Sequence, residues 1–367
     1  MTIPAVNLKP ALQATEPAWR ARLDELFARM QFILGEQLAC FEAEFAAAIQ
    51  ARCAVGVGSG TSAIEIALRH AGITSHRQEV LTTPLTAPFT GVGILAAGAS
   101  IRFADIDPDT LLLAPDKAAG RITRRTAALL PVHLYGQPCR LDAFAALAKD
   151  ASAVLVQDAC QAHGALYRGV PLTRYSRYVA YSFYPTKNLG CLGDGGAIAT
   201  DSPRIAAGLR LLRDGGRKND QLSRIRAVNS RLDDLQCCYL RAFLPKLAEW
   251  NAWRARIAAL YDDALHDCPG VHLVRRWPCS AHHLYVIRVQ RREKLRRHLA
   301  AKGIGVGVHY PVPLHLHPAF ASPKSPRGEF PEAERAAREV LSLPLWPYLP
   351  EADAARVADE IRSYFRR

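Results

Sequence analysis

The stretch Ser182-Phe183-Tyr184-Pro185-Thr186-Lys187-Asn188-Leu189-Gly190, closed by Gly193-Asp194-Gly195-Gly196, lies between two apolar runs. Residues 178–183 and 196–200 both read as strands. A lysine in a short glycine-flanked loop between two such strands is an unusual place for a surface charge. One reading is a solvated loop side chain. The other is an amine that forms a Schiff base with a carbonyl compound.

Working outward, short apolar runs at 54–57, 79–82, 101–105, 127–133 and 153–157 read as strands. Between them, 62–70, 141–149 and 203–213 have helical spacing, and 88–97 reads as a helix or a mixed segment. Upstream, Leu23, Leu26, Phe27, Met30 and Ile33 recur at three and four; Gly35 interrupts, and Phe41, Phe45 and Ala48 resume. Strands interleaved with crossover helices imply an α/β domain with a largely parallel sheet. Downstream, Leu240, Phe243, Leu247, Trp250, Trp253, Ile257, Leu260 and Leu265 predict one long helix with a buried face. Beyond about residue 268 the pattern shortens to a strand at 284–289, a helix at 294–302, a loop at 303–317 and a last helix at 352–365. Residues 322–330 read as a surface loop. The expected division is 1–240 for an N-terminal arm and large domain, and 241–367 for a linking helix and a smaller α+β domain.

Two further features fall at strand ends. Gly58-Ser59-Gly60-Thr61-Ser62 joins a strand to a helix. Glycines let a backbone approach an anion, and a helix N-terminus offers free N–H groups and a positive dipole end. The same residues also read as a plain strand–helix turn capped by Thr61 or Ser62. Asp158 follows the run Val154-Leu155-Val156 at the carboxyl end of an apolar strand, where open α/β sheets bind ligands. It also suits a helix cap. Gln161 and His163 lie just behind it.

Composition bounds the function classes. The chain has 367 residues, 47 Lys+Arg and 34 Asp+Glu, for a net charge of +13. A basic surface suits an anionic ligand such as a nucleoside diphosphate. There is no helix-turn-helix, zinc-finger or RNA-binding signature, so no nucleic-acid partner is expected. No apolar run approaches the ~20 residues of a membrane span, and none of the nine cysteines has metal-ligand spacing. We read a reduced, cytoplasmic protein with no bound metal.

The motifs SGTSA, TTPLT, VHLYGQP, QDACQAHGA, SFYPTKNLG–LGDGGA, NSRLDDLQ, GVHYPVPLH and SLPLWPYL follow one another along the chain. In that order they resemble the DegT/DnrJ/EryC1/StrS family of sugar aminotransferases, fold-type I enzymes that use pyridoxal 5'-phosphate. The resemblance runs from about Leu34 to the last helix and implies a mixed, mostly parallel seven-stranded sheet flanked by helices. It implies that Lys187 forms the Schiff base and shuttles a proton, and that Asp158 pairs with the pyridine nitrogen. Gln161 would bond the ring oxygen, while Gly60, Thr61 and Ser182 would hold the phosphate. Asn229 would reach the phosphate of the neighbouring subunit in a homodimer with shared sites. Arg231 belongs to the same shared interface, and His309 and Tyr310 match a segment that contacts the sugar nucleotide.

Two positions depart from the family pattern. An aromatic that stacks on the ring is usual where this chain has Ala87, which leaves Phe89 as the stacking candidate. The glycine usual before Asn229 is Ala227. The lysine is present, which argues against the family's dehydratase branch, where histidine replaces it. FILGEQLACFEAEFA and NSRLDDLQ look most like members that aminate the 3-position. The implied reaction moves an amino group from glutamate to a 3-keto hexose linked to dTDP or UDP. An aminocyclitol or aromatic-precursor synthase on the same scaffold stands as one alternative. A cofactor-binding regulatory protein stands as another.

Overall fold

A computed structural model describes residues 2–218, 222–321 and 325–366. The large sheet is built from Cys53–Val57 (β1), Glu79–Thr82 (β2), Ser100–Phe103 (β3), Thr126–Leu130 (β4), Val154–Asp158 (β5), Tyr178–Ser182 (β6) and Gly196–Thr200 (β7). Its order is β1-β7-β6-β5-β4-β2-β3. Only β7 runs antiparallel to its neighbours; the remaining pairs are parallel. The expected mostly parallel sheet is therefore present, and its strands are apolar because helices cover both faces.

One face buries Ala63, Ile64, Ala67 and Leu68 of the helix Gly60–His70 together with Ile94 of Pro88–Ala97. The doubtful segment at 88–97 is thus a helix, started by Pro88 in its first turn, where a missing N–H costs nothing. The other face packs Phe41 and Phe45 of Glu36–Ala48 against Tyr181 and Phe183.

β1 forms the edge of the sheet. Its outward backbone groups are met by side chains. Glu42 accepts from the N–H of Gly56 at 2.9 Å, Arg213 donates to the carbonyl of Gly56 at 2.7 Å, and Arg210 donates to that of Ala54 at 3.3 Å. Glu42 also bridges the two arginines.

The long helix expected across Leu240–Leu265 is two helices. Asp234–Phe243 and Leu247–Leu265 are separated by a 3-10 turn at Leu244–Lys246. Pro245 lies in that turn and has no N–H to continue the ladder. The second helix passes from the aromatic cluster of the large sheet, through Trp250, to a separate C-terminal core, through Ile257 and Tyr261. That core rests on three antiparallel strands, Val271–Leu273 (β8), Tyr285–Val289 (β9) and Val340–Leu343 (β10), in the order β8-β9-β10. Sequence reading found only the middle strand. It also missed the helix Pro331–Glu339, which runs straight into β10. The last helix is Glu351–Phe365. Ile3 joins this C-terminal core, with its N–H on the carbonyl of Gly303 at 2.8 Å, so the first residues leave the large domain behind. Of the expected surface loop at 322–330, residues 322–324 lie outside the described residues.

Candidate active site

The loops after β1, β4, β5 and β6 gather at the carboxyl end of the parallel strands. After β1 the chain turns into Gly60–His70, and Ser59, not Thr61 or Ser62, caps that helix by accepting the Ser62 N–H at 3.1 Å. The leading N–H groups, including those of Gly60 and Thr61, have no acceptor within a helix and present a positive dipole end. A Cβ on Gly60 would fall 2.6 Å from Cβ of Ser182 and 2.7 Å from Sγ of Cys160, so only glycine lets these three segments meet. Two sequence-predicted phosphate contacts from separate motifs, Gly60 and Ser182, are thereby neighbours. Gly58 donates to Ser230 at 3.0 Å, which brings the segment of Asn229 and Arg231 to the same rim.

Asp158 ends β5 and is buried. No helix follows it, so it is not a helix cap; its Oδ1 accepts from the N–H of Cys160 at 3.1 Å. Its Oδ2 accepts from the hydroxyl of Thr90 at 2.8 Å. Gln161 accepts from the N–H of Tyr135 at 2.6 Å and donates to the Tyr310 hydroxyl at 3.2 Å. The Tyr135 hydroxyl donates to the carbonyl of His309, and His309 Nδ1 bonds Ser342 at 2.8 Å. Gln161, His309 and Tyr310 therefore form one connected wall. Burial, and then the charge of Lys187, pull His309 down to about 4. Burial and the Asp158 charge push Tyr310 up to about 12.

The lysine loop is tightly closed. Phe183 and Gly195 pair across its neck at 2.7 Å, and Cys191 N–H returns to the Phe183 carbonyl at 2.8 Å. A Cβ on Gly190 would lie 2.5 Å from the carbonyl oxygen of Pro185. Asn188 ties the loop to the C-terminal part of the chain. It donates to Asn251 at 2.7 Å and to the carbonyl of Ala281 at 2.6 Å, and its oxygen faces His283 Nδ1 at 3.0 Å. Desolvation holds the Lys187 amine below the ordinary lysine range, against the opposing pull of Cys160 and Asp158. The amine thus feels the same carboxylate that Thr90 holds. Burial raises the Cys160 thiol well above its usual range.

Sequence reasoning brought together Gly60, Thr61, Asp158, Gln161, Ser182, Lys187, His309 and Tyr310. It missed Thr90, Tyr135, Asn188 and His283. Phe89, on the first turn of Pro88–Ala97, is 65% exposed; its neighbour Thr90 is the residue that reaches Asp158. Asn229 pairs with the backbone of Asp214, and Arg231 lies 3.1 Å from the Asp214 carboxylate. Among the described residues no cluster of His, Cys, Asp and Glu is placed to hold a metal ion, and no helix is long and apolar enough to cross a membrane.

The site thus brings together a buried carboxylate, a desolvated amine and a helix end with a hydroxyl beside it. Residues 14–362 match the model of the DegT/DnrJ/EryC1/StrS aminotransferase family. The chain belongs to that family. Among its DegT/DnrJ/EryC1/StrS relatives, the dTDP-3-amino-3,4,6-trideoxy-alpha-D-glucose transaminase of Streptomyces venezuelae is 42% identical, over 100% of this chain and 97% of that protein. A pleiotropic regulatory protein of Geobacillus stearothermophilus is 38% identical, over 100% of this chain and 99% of that one. The crystal structure of DesV from S. venezuelae superposes with a TM-score of 0.96 at 41% identity, covering 100% of this chain and 99% of that one. That of NtdA from Bacillus subtilis, with PMP bound as its cofactor, gives 0.90 at 26% identity, covering 99% and 85%.

Proposed function

We propose that this chain is a pyridoxal-phosphate-dependent aminotransferase that moves an amino group from glutamate to the 3-keto position of a dTDP- or UDP-linked hexose, in deoxyamino-sugar assembly in the cytoplasm. The observation that carries this reading is the convergence of Lys187, Asp158 and the Gly60–Ser182 cradle at one end of the sheet. The cradle suits a phosphate because helix N–H groups, a hydroxyl and the absence of a side chain at position 60 coincide there. Bound cofactor supplies an electron sink for the pair left when a proton leaves the amino-acid Cα.

The protein's own groups then have separate tasks. Asp158 would pair with the ring nitrogen and Gln161 with the ring oxygen. Gly60, Thr61 and Ser182 hold the phosphate, joined by the partner subunit's Asn229 in a homodimer. Phe89 is the residue available to cover the ring where Ala87 does not. Lys187, its basicity reduced by desolvation, would be the group that takes up and returns the proton of the amino-acid Cα. His309, Tyr310 and Arg231 face the sugar nucleotide, whose diphosphate suits a chain of charge +13. Support for the 3-position comes from the name of the 42%-identical transaminase.

The test is an absorbance spectrum of the purified protein, before and after glutamate, with Lys187→Ala alongside. A yellow band that bleaches on glutamate is expected. Multiple turnover by Lys187→Ala would overturn the assignment. A screen of dTDP- and UDP-linked keto sugars against inosose separates this reading from an aminocyclitol synthase. The regulatory name of one relative favours a second reading, a cofactor-binding regulator. Salt-sensitive DNA binding without glutamate-driven bleaching would bring that reading forward.

A further inference from the structure

Helix Pro88–Ala97 begins where the family aromatic is missing, and its start carries an unassigned pair of hydroxyls, Thr86 just before the N-cap Ala87 and Thr90 in the first turn. Thr86 and Thr90 are 1% and 2% exposed, and Asp158 is 4% exposed. Thr90 Oγ1 lies 2.8 Å from Asp158 Oδ2 and 3.0 Å from Thr86 Oγ1. A carboxylate only accepts, so the single hydroxyl proton of Thr90 is committed to Asp158. Thr90 can then meet Thr86 only as an acceptor, and Thr86 must donate. The three side chains form a one-way relay of donors that ends on the carboxylate.

From this relay we infer that Thr90, aligned by Thr86, is a positioning residue that fixes the orientation of Asp158 toward the cofactor ring nitrogen. The inference rests on the cofactor reading above. With Oδ1 held by the Cys160 N–H and Oδ2 by Thr90, the carboxylate is pinned at both oxygens and cannot turn about its Cβ–Cγ bond. Each oxygen keeps a second lone pair for the ring nitrogen. The geometry also explains why Thr90 and not Phe89 reaches Asp158, since consecutive helical residues project about 100° apart.

The test measures apoprotein affinity for pyridoxal phosphate and for its 1-deaza analogue, which has C–H in place of the ring nitrogen, by quenching of tryptophan fluorescence. Thr90→Val keeps the shape and removes the hydroxyl. It is expected to weaken pyridoxal phosphate roughly tenfold, the scale of a hydrogen bond to a charged group, with the deaza analogue little changed. Thr90→Ser should restore the wild-type ratio, and Thr86→Val should shift it in the same direction by less. Equal losses for both compounds, or no loss for either, would overturn the inference. Should Thr90→Val fail to fold, Thr86→Val decides by the same ratio. Failure of the wild-type protein to bind pyridoxal phosphate would instead overturn the cofactor reading, and the inference with it.

Discussion

An alanine at position 60 would push its Cβ against both Ser182 and Cys160. Overpacking of this kind costs about 1–3 kcal/mol, and here it also displaces one wall of the proposed phosphate seat. Gly60→Ala is therefore expected to lower the melting temperature by several degrees and to weaken pyridoxal phosphate binding. Adding Cys160→Ala removes one of the two clashes and should recover part of the melting temperature; a double variant no better than Gly60→Ala would show that Ser182 alone sets the cost. Lys187 and Asp158 were legible because one stands in a short glycine-flanked loop between two apolar strands and the other at the end of such a strand, where little else explains a charge. Thr90 was not, because a threonine in the first turn of a helix looks like any other. Tyr135 was equally hidden: its left-handed backbone, with φ of 62°, sends its N–H to Gln161, and no pattern of residue types announces such a conformation.

Elements are held by charges as well as by apolar faces, and the edge of the large sheet shows it. The side chains of Glu42 and Arg213 are 8% and 7% exposed, and Glu42 also serves Arg210 and the Gly56 N–H. Glu42→Ala leaves Arg213 buried without its counter-ion, and a broken buried pair costs about 3–5 kcal/mol. The expected result is a large fall in the urea midpoint with an unchanged slope; a loss near zero would mean that water reaches Arg213. Strands β1 to β7 could be placed from the sequence because each is a short apolar or alternating run, the latter in Ser100–Phe103 with its Arg102, bounded by polar or glycine-rich turns. β8 could not, because Val271–Leu273 is short and no residue in it is fully buried. β10 could not, because no turn residue separates Glu339 from Val340. The break at Leu244–Lys246 was masked by apolar spacing that continues through it, although Pro245 was in plain sight.

For the molecule as a whole, burial sets the acid limit. Desolvation takes His133, His282 and His309 down to about 4 and His163 to about 3, against 6.5 for the free side chain. Between pH 6.5 and 4 the unfolded chain takes up protons that the folded chain refuses, so stability falls as pH falls through that window. Each histidine contributes a slope of up to about 1.4 kcal/mol per pH unit. Urea midpoints measured from pH 7 to 5 should drop steadily, with net proton uptake on unfolding; a flat profile would contradict the burial. The proposed sharing of sites between two subunits makes a second prediction. Lys187→Ala and Asn229→Ala homodimers, each impaired, should regain activity when mixed, because one site of each hybrid dimer inherits both intact residues. No recovery after subunit exchange would argue that Asn229 serves its own chain.

Strand order carries a last consequence, for synthesis on the ribosome. β1 is made early, yet among the described residues its strand neighbour is β7 alone. That partner follows about 140 residues later, so at ~5–20 residues per second β1 emerges with no strand to pair with for on the order of ten seconds. Arg210 and Arg213, which blunt its open side in the finished molecule, come later still. Throughout that interval the nascent chain carries a bare apolar ribbon, Cys53-Ala54-Val55-Gly56-Val57, shielded only by what the helix Glu36–Ala48 can cover. Chaperone demand during translation should therefore peak before Thr200 leaves the exit tunnel and fall once it has.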